Sequence, residues 1–461
     1  MVATANLFQK ESALKSFDLQ HRKTIAFNMG RYDAAVKRGK QQYANLPLAR
    51  RQASLKKHKA VENLEKVLKT FEQNFSRNGG KVIWAGNSEE ANKSILKILQ
   101  QFDAHRVVKS KSMVTEELEL DHFLSQNSVE CVETDLGEYI VQISDDKPYH
   151  IVTPVMHKSA IDIAEIFHKK FGLPKASTPV EITKFVRKTL RKKFENADAG
   201  ITGANFLISS TGSVAITENE GNGVLSSSLP KIQIVIAGIE KVIENLEDLH
   251  LFWPLLATFG TGQNLTAYNS IISGPSRDGE ENGPKHMFVI LLDNGRTNLL
   301  SRIPQRRALS CIRCGSCLNA CPVYRNVGGH TYGSVYSGPI GAVITPHLKP
   351  MRDYKHLSYA SSLCGKCTEV CPVNINLHYQ LLENRNYAVK SKLSPAIENF
   401  GMRGWKFAMQ RRWMMDVAGS GIKNFMMEKF FSASWGKRRK LPKMQKKSFK
   451  QIWLEKQNKK K

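Results

Sequence analysis

At 461 residues the chain has room for two or three domains, and 41% hydrophobic with 24% charged residues is the composition of a globular protein. No apolar run approaches the ~18 residues of a spanning helix, and the opening MVATANLFQKESALK has no apolar core behind a basic end, so neither a membrane span nor a secretory signal is expected. The net charge of +27 sits at the ends: residues 1–80 hold 16 Lys and Arg against 6 Asp and Glu, residues 401–461 hold 18 against 3, and the body between is near neutral.

Residues 1–78 read as a basic helical region. In VENLEKVLKTFEQNF, Leu64, Val67, Leu68, Phe71 and Phe75 recur at helical spacing, while GRYDAAVKRGKQQYANLPLARRQ reads as a loosely packed segment. From residue 79 the pattern changes. KVIWAG is a buried strand, and Asn87 caps a helix with Glu90 as reciprocal partner. RVVKSKS is a strand and VTEELELDHFLSQN a helix; VECVET and EYIVQIS are strands, and Cys131 is a buried strand thiol. Helices at AIDIAEIFHKKFG and ITKFVRKTLRKKFENA precede strands at NFLISSTGSVAIT, IQIVIAG and HMFVILLD. This alternation predicts an α/β domain over 79–298 with a largely parallel sheet, whose ligands would lie beyond the carboxyl ends of its strands.

Residues 299–390 carry seven of the eight cysteines. Cys311, Cys314, Cys317 and Cys321 in CIRCGSCLNACP have the C-x2-C-x2-C-x3-C-P form of two-cluster ferredoxins, in which the fourth Cys ligates the other cluster. Cys364, Cys367 and Cys371 follow in CGKCTEVCP. Cluster 1 is therefore expected on Cys311, Cys314, Cys317 and Cys371, and cluster 2 on Cys321, Cys364 and Cys367. Laying the second run on the first puts Ser361 where a fourth Cys would stand, which leaves open a 3Fe-4S cluster, a 4Fe-4S cluster with an outside ligand, or ligation by Ser361. A zinc ribbon would need two C-x2-C pairs and no third Cys in register, and disulfides need an oxidising compartment; iron–sulfur clusters without a signal point to the cytoplasm.

Arg313 and Lys366 lie inside the ligand loops, where positive charge favours the reduced cluster; the plain alternative is two solvent-exposed side chains. The 42 residues between the motifs contain GGHTYGSVYSGPIGAVITP, read as a long irregular loop with Tyr324, His330 and Tyr332 near the clusters. Residues 391–461 form a basic tail in which RGWKFAMQRRWMMDV and GIKNFMMEKFF are short amphipathic helices expected to pack on their own domain. Basic ends suit acidic partners or an anionic membrane face. Nucleic acid is disfavoured, because no helix-turn-helix, RNA-recognition or zinc-finger pattern accompanies the charge. Neither a G-x-G-x-x-G after a strand nor a P-loop occurs.

The α/β part offers a candidate anion site. Lys109, Ser110, Lys111 and Ser112 end a strand before a helix, where amides, hydroxyls and ammonium groups suit a carboxylate or phosphate. Gly203, Asn205, Thr211 and Gly212 are candidates for the same crevice, and Lys111 and Glu220 are the candidate catalytic residues; the plain alternative is turn-building residues in a scaffold.

Several segments resemble one family. VVKSKSMVTEE, ETDLGEYIVQ, HIVTPVMHK, TGANFLISSTGSVAITENEGN, ATFGTGQ, ISGP and LLDNGR are similar to the LUD domain of the lactate utilization protein B family, and CIRCGSCLNACPVYRNVGGHTYGSVYSGPIGAVITP with SSLCGKCTEVCPV is similar to its helical ferredoxin-type module. The resemblance covers roughly residues 60–400 and includes the serine at 361. It implies a fold related to ribose-5-phosphate isomerase and CoA transferases, and places Glu220 in the region of their carboxylate nucleophile. It further implies an electron-transfer subunit that works with two companions, one cysteine-rich and one a lone LUD protein, in oxidising L-lactate to pyruvate, with a peripheral membrane or quinone-side acceptor left open. The alternatives are a self-sufficient 2-hydroxy-acid oxidoreductase with substrate in the LUD domain, and a relay for another dehydrogenase.

Overall fold

A computed structural model describes residues 3–411, 413–414, 419–435 and 440–459. The short apolar runs in the body of the chain build a six-stranded, all-parallel sheet in the order β1 (Lys81–Ala85), β10 (His286–Leu292), β7 (Ile232–Gly238), β4 (Ala199–Gly203), β2 (Arg106–Lys109) and β3 (Glu130–Glu133). Side chains two apart share a face. Ile232, Ile234, Ile236, Phe288, Ile290 and Leu292 pack with Ala91, Ile95 and Leu99 of the helix Ser88–Gln101. On the other face, Val235, Ala237, Val289 and Leu291 pack with Leu64, Val67, Leu68, Phe71 and Phe75 of the helix Leu64–Arg77. Phe71 and Phe75 are fully buried, each contributing about 1.5–3 kcal/mol of transfer free energy. Val108 and Val132 of the same face are covered by the helices Ala160–Phe171 and Pro179–Glu195.

A second, four-stranded sheet runs β8 (Val242–Ile243), β5 (Phe206–Ile208), β6 (Ser213–Glu218) and β9 (Tyr268–Ile272). NFLISSTGSVAIT is its β5–β6 hairpin rather than one strand. Leu207 and Val214 face the helix Leu64–Arg77. Phe206, Ile208 and Ala215 face a second core shared with the N-terminal helices, the helix Leu249–Thr261 and the cysteine module. Residues 1–388 form one compact unit, and residues 389–461 another.

Four expectations change. EYIVQIS is helical, within Leu136–Ile143: Asp135 accepts from Gly137 N and Glu138 N at 2.8 and 3.1 Å, and a short apolar run does not by itself separate strand from buried helix. VTEELELDHFLSQN is two helices, Met113–Glu117 and Leu120–Gln126, broken where Glu119 takes φ 51°. The insert between the cysteine motifs is largely helical, with Gly338–Leu348 and Met351–Tyr359 stacked on each other; Pro339 in its first turn suits a helix start. The segment 30–52 packs closely. Arg50 donates to Glu369 O at 2.7 Å and to Cys371 O at 2.7 and 3.1 Å, and Gln42 donates to Thr258 Oγ1 at 2.6 Å. Asn87 Oδ1 accepts from Glu90 N at 3.0 Å, and the Glu90 carboxylate in turn accepts from Asn87 Nδ2 at 2.7 Å and from Gly86 N at 2.8 Å.

The second unit holds the helices Ala396–Met409, Ser420–Trp435 and Phe449–Asn458. RGWKFAMQRRWMMDV runs partly outside the described residues. Within this unit Phe400, Trp405, Trp413, Phe425, Phe430 and Trp453 are exposed. Among the described residues no helix is long and apolar enough to cross a membrane.

Candidate functional site: two cysteine loops and a crevice

The two ligand loops repeat one backbone conformation. Arg313 and Leu363 both take left-handed φ, 62° and 54°, and Gly315 and Gly365 follow with φ 77° and 78° and a shared ψ of −8°. A left-handed non-glycine residue is uncommon, so its occurrence at matched positions marks a shared requirement. In the first loop Arg313 N donates to Cys311 Sγ at 3.4 Å, and in the second Leu363 N donates to Ser361 Oγ at 3.1 Å. Ser361 thus holds the place that Cys311 holds in the first loop. Further amides reach sulfur from Tyr324 to Cys321 at 3.5 Å and from Ile375 to Cys371 at 3.3 Å.

The cysteines fall into two neighbourhoods. Burial pushes the thiols of Cys314 and Cys317 up, and their nearest thiol neighbours are Cys311 and Cys371. Burial raises Cys371 to about 12, with Cys311 beside it. Burial raises Cys321 and brings Cys367 to about 11, and Cys364 neighbours both. Two groups of sulfurs, with backbone N–H groups directed at Cys311, Cys321 and Cys371, form a donor set that suits iron–sulfur clusters. The first group is enclosed, with Cys314, Cys317 and Cys371 each under a tenth exposed. The second reaches the surface, where Cys364 is exposed.

The two loop cations part company. Lys366 is half-exposed and pairs with Glu369 at 2.8 Å. Arg313 is enclosed, its Nη2 3.2 Å from Glu240 and its guanidinium 4.5 Å from the centre of the Tyr336 ring. Glu240 also binds Arg296 Nε at 2.6 Å, and Arg296 is bidentate to Glu117 at 2.8 and 2.9 Å. Against the upward push of burial, Arg296 and Arg313 hold Glu240 at about 2. Lys57 donates to Glu240 O at 2.5 Å and Val242 O at 2.8 Å and is lowered to about 7 by burial. This buried ionic group joins the parallel sheet to the first ligand loop. The spacing of Arg313 within a metal loop was its sequence signal; Glu117 and Arg296 close the segments VVKSKSMVTEE and LLDNGR, but nothing local pairs them with each other or with Glu240.

A crevice of about 400 Å³ opens beyond the carboxyl ends of β2, β4 and β7. Ser110, Lys111, Ser112, Gly203, Asn205 and Glu220 line it, together with Lys241, Arg313, Cys314 and Tyr336. Lys109 does not: it is fully buried, bound to Glu133 and to Thr115 Oγ1 at 3.0 Å, with Glu116 and Asp121 each at 3.5 Å. Thr211 and Gly212 are also elsewhere, against the helix Leu64–Arg77, where a Cβ on Gly212 would lie 2.2 Å from Phe75 N. Lys111 donates to Val152 O at 2.5 Å. Glu220 accepts from Leu136 N at 3.0 Å and is raised to about 7 by burial and by Asp135.

Tyr324 is buried and donates to Tyr149 O at 2.8 Å, and Tyr332 is buried against it. His330 donates to Lys147 O at 2.6 Å and gathers with His157 and Asp146. The Lys158 ammonium, 2.7 Å from Asp146, makes that trio an ion-paired joint. Cys131 is half-buried on β3, its thiol 3.5 Å from Asp121 Oδ1.

A doubly covered parallel sheet, its crevice abutting a two-centre cysteine module, defines an iron–sulfur protein of the LUD class. Residues 68–292 match the LUD domain and residues 307–375 the 4Fe-4S dicluster domain. Lactate utilization protein B from Bacillus cytotoxicus is 47% identical over 344 residues, 74% of this chain and 72% of that protein. The protein of the same name from Bacillus thuringiensis is 46% identical over the same shares. The chain belongs to the lactate utilization protein B family, and its cofactors are iron–sulfur clusters of the 4Fe-4S type. A solved DUF162 family protein from Deinococcus radiodurans is 15% identical and covers 50% of this chain and 98% of its own, at a TM-score of 0.29, too low to carry an argument.

Proposed function

We propose that the chain is an electron-transfer subunit in the oxidation of L-lactate to pyruvate, acting with two companion proteins, one cysteine-rich and one a lone LUD protein. Cluster 1 is held by Cys311, Cys314, Cys317 and Cys371, and cluster 2 by Cys321, Cys364 and Cys367 with Ser361 Oγ at the fourth position. Each cluster, when bound, takes and returns one electron. The observation that carries the reading is the placement of the two cysteine groups, one enclosed against the crevice and the other at the surface. That order suits electrons entering on the inner side and leaving to an acceptor docked near Cys364. Arg313 and its buried neighbours supply positive charge that favours the reduced form of the inner cluster.

The test is anaerobic addition of L-lactate to the cluster-loaded chain, alone and with the companions, followed by EPR and visible bleaching. Reduction that requires the companions supports the subunit reading. Reduction by lactate with this chain alone replaces it with the self-sufficient enzyme, and no reduction in either mixture removes lactate as the donor.

A further inference from the structure

We propose that the crevice is a binding site for a small organic acid, whose carboxylate sits on the Lys241 ammonium, beside Arg313 and Cys314. The inference rests on Cys314 belonging to cluster 1, but not on lactate being the donor.

The crevice carries both signs of charge, and the hydrogen bonds decide which sign lacks a partner. Its acids are engaged by backbone. Asp135 accepts from Gly137 N and Glu138 N at 2.8 and 3.1 Å, Glu218 from Gly223 N and Val224 N at 2.6 and 2.8 Å, and Glu220 from Leu136 N at 3.0 Å. Lys111 is engaged by Val152 O. Arg313 Nη1, by contrast, is buried without a hydrogen-bond partner among the described residues. Lys241, only 9% exposed, forms no ion pair within 4 Å there. Its neighbour Glu240 is already shared by Arg296 and Arg313. A buried donor left unmade costs about 1–3 kcal/mol, and more when charged, so an anion is what this end of the crevice accommodates.

Size and charge fit the class. The crevice volume of about 400 Å³ is ample for a small acid. The Lys241 ammonium, within the positive field of Arg313, suits a carboxylate. The rival account is that the two cations only balance the negative charge of the cluster. That account predicts a fixed effect on the cluster with no saturable ligand.

The experiment uses the full-length, cluster-loaded chain, reduced photochemically so that no sulfur oxyanion competes. Pyruvate, L-lactate and inorganic phosphate are titrated separately by calorimetry, with EPR of the reduced clusters at each point. The proposal expects one pyruvate or lactate per chain, a saturable change in the signal of one cluster only, and phosphate weaker by roughly tenfold or more. Lys241→Gln and Lys241→Met, checked for unchanged iron content, weaken the carboxylate by roughly tenfold or more, and Lys241→Arg restores it. Absence of carboxylate binding with both cluster signals intact overturns the proposal alone, as does phosphate binding equally well or a Kd indifferent to Lys241. Loss of the inner-cluster signal on replacing any residue other than the assigned cysteines, with those cysteines dispensable, overturns the cluster assignment and this proposal together.

Discussion

Arg296→Met tests how the sheet and the cluster module are joined. Arg296 is 1% exposed and binds Glu240 at 2.6 Å and Glu117 at 2.8 and 2.9 Å, with Glu240 also 1% exposed. Removing one partner of a buried pair costs about 3–5 kcal/mol, because the remaining charge is left in the interior. For a compact unit spanning residues 1–388, at about 2.1 cal/mol/K of unfolding entropy per residue, roughly 1 °C is lost per kcal/mol, so the Tm falls on the order of 5 °C. The pH dependence has a definite sign. In the parent, Glu117 and Glu240 have depressed folded-state pKa values despite burial, so they contribute stability above their unfolded pKa that is lost as pH falls through the folded value. Without Arg296 burial dominates, their folded pKa rises, and the penalty is greatest at high pH. The gap between parent and variant therefore narrows from pH 8 to pH 6. Thermal melts by circular dichroism on anaerobic protein read both effects. Adding Glu240→Gln to Arg296→Met removes one orphaned carboxylate and recovers part of the loss. A Tm drop below about 2 °C, or a double variant no better than the single, refutes the argument.

Gly315→Ala forces a side chain to φ 77° with its Cβ 3.1 Å from Ile151 and Val152; a cost on the order of 1–3 kcal/mol is expected, with iron content falling below parent. Ser361→Cys completes a four-cysteine set and is expected to give a 4Fe-4S EPR signal more resistant to air, whereas Ser361→Ala converts cluster 2 to a 3Fe-4S signal on oxidation; identical spectra for all three proteins would exclude Ser361 from the cluster. Arg50→Ala removes three hydrogen bonds to the carbonyls of Glu369 and Cys371, and at about 1.5–3 kcal/mol for bonds to a charged group cluster loss under chelator should accelerate severalfold. His347 is buried and lowered to about 4 from 6.5, so stability present above pH 6.5 is lost as pH falls toward 4, about 1 kcal/mol of it by pH 5.5. The melt of His347→Asn is expected to be less sensitive between pH 7.5 and pH 5.5 than that of the parent.

The sequence by itself determined the parts governed by short-range chemistry. The cysteine spacing is a covalent constraint on what one metal centre can reach, and matching CIRCGSC to SSLCGKC located Ser361 before any coordinates. The continuous apolar runs at IQIVIAG and HMFVILLD marked strands buried on both faces, and the helical stripe from Leu64 to Phe75 marked the buried face of its helix. EYIVQIS was misread because seven apolar-rich residues satisfy either period, and the Asp135 cap decides for the helix. The crevice needed the tertiary structure. Lys109 and Lys111 look equivalent in VVKSKS, yet Lys109 is the last residue of β2 and is buried in an acid cluster, whereas Lys111 lies beyond the strand end and lines the crevice. Lys241 and Arg313 lie 72 positions apart and meet only because the strand ends and the cysteine module share one core. Charges that close through long-range packing leave no local pattern, since what selects them is the partner across the fold rather than the neighbour along the chain.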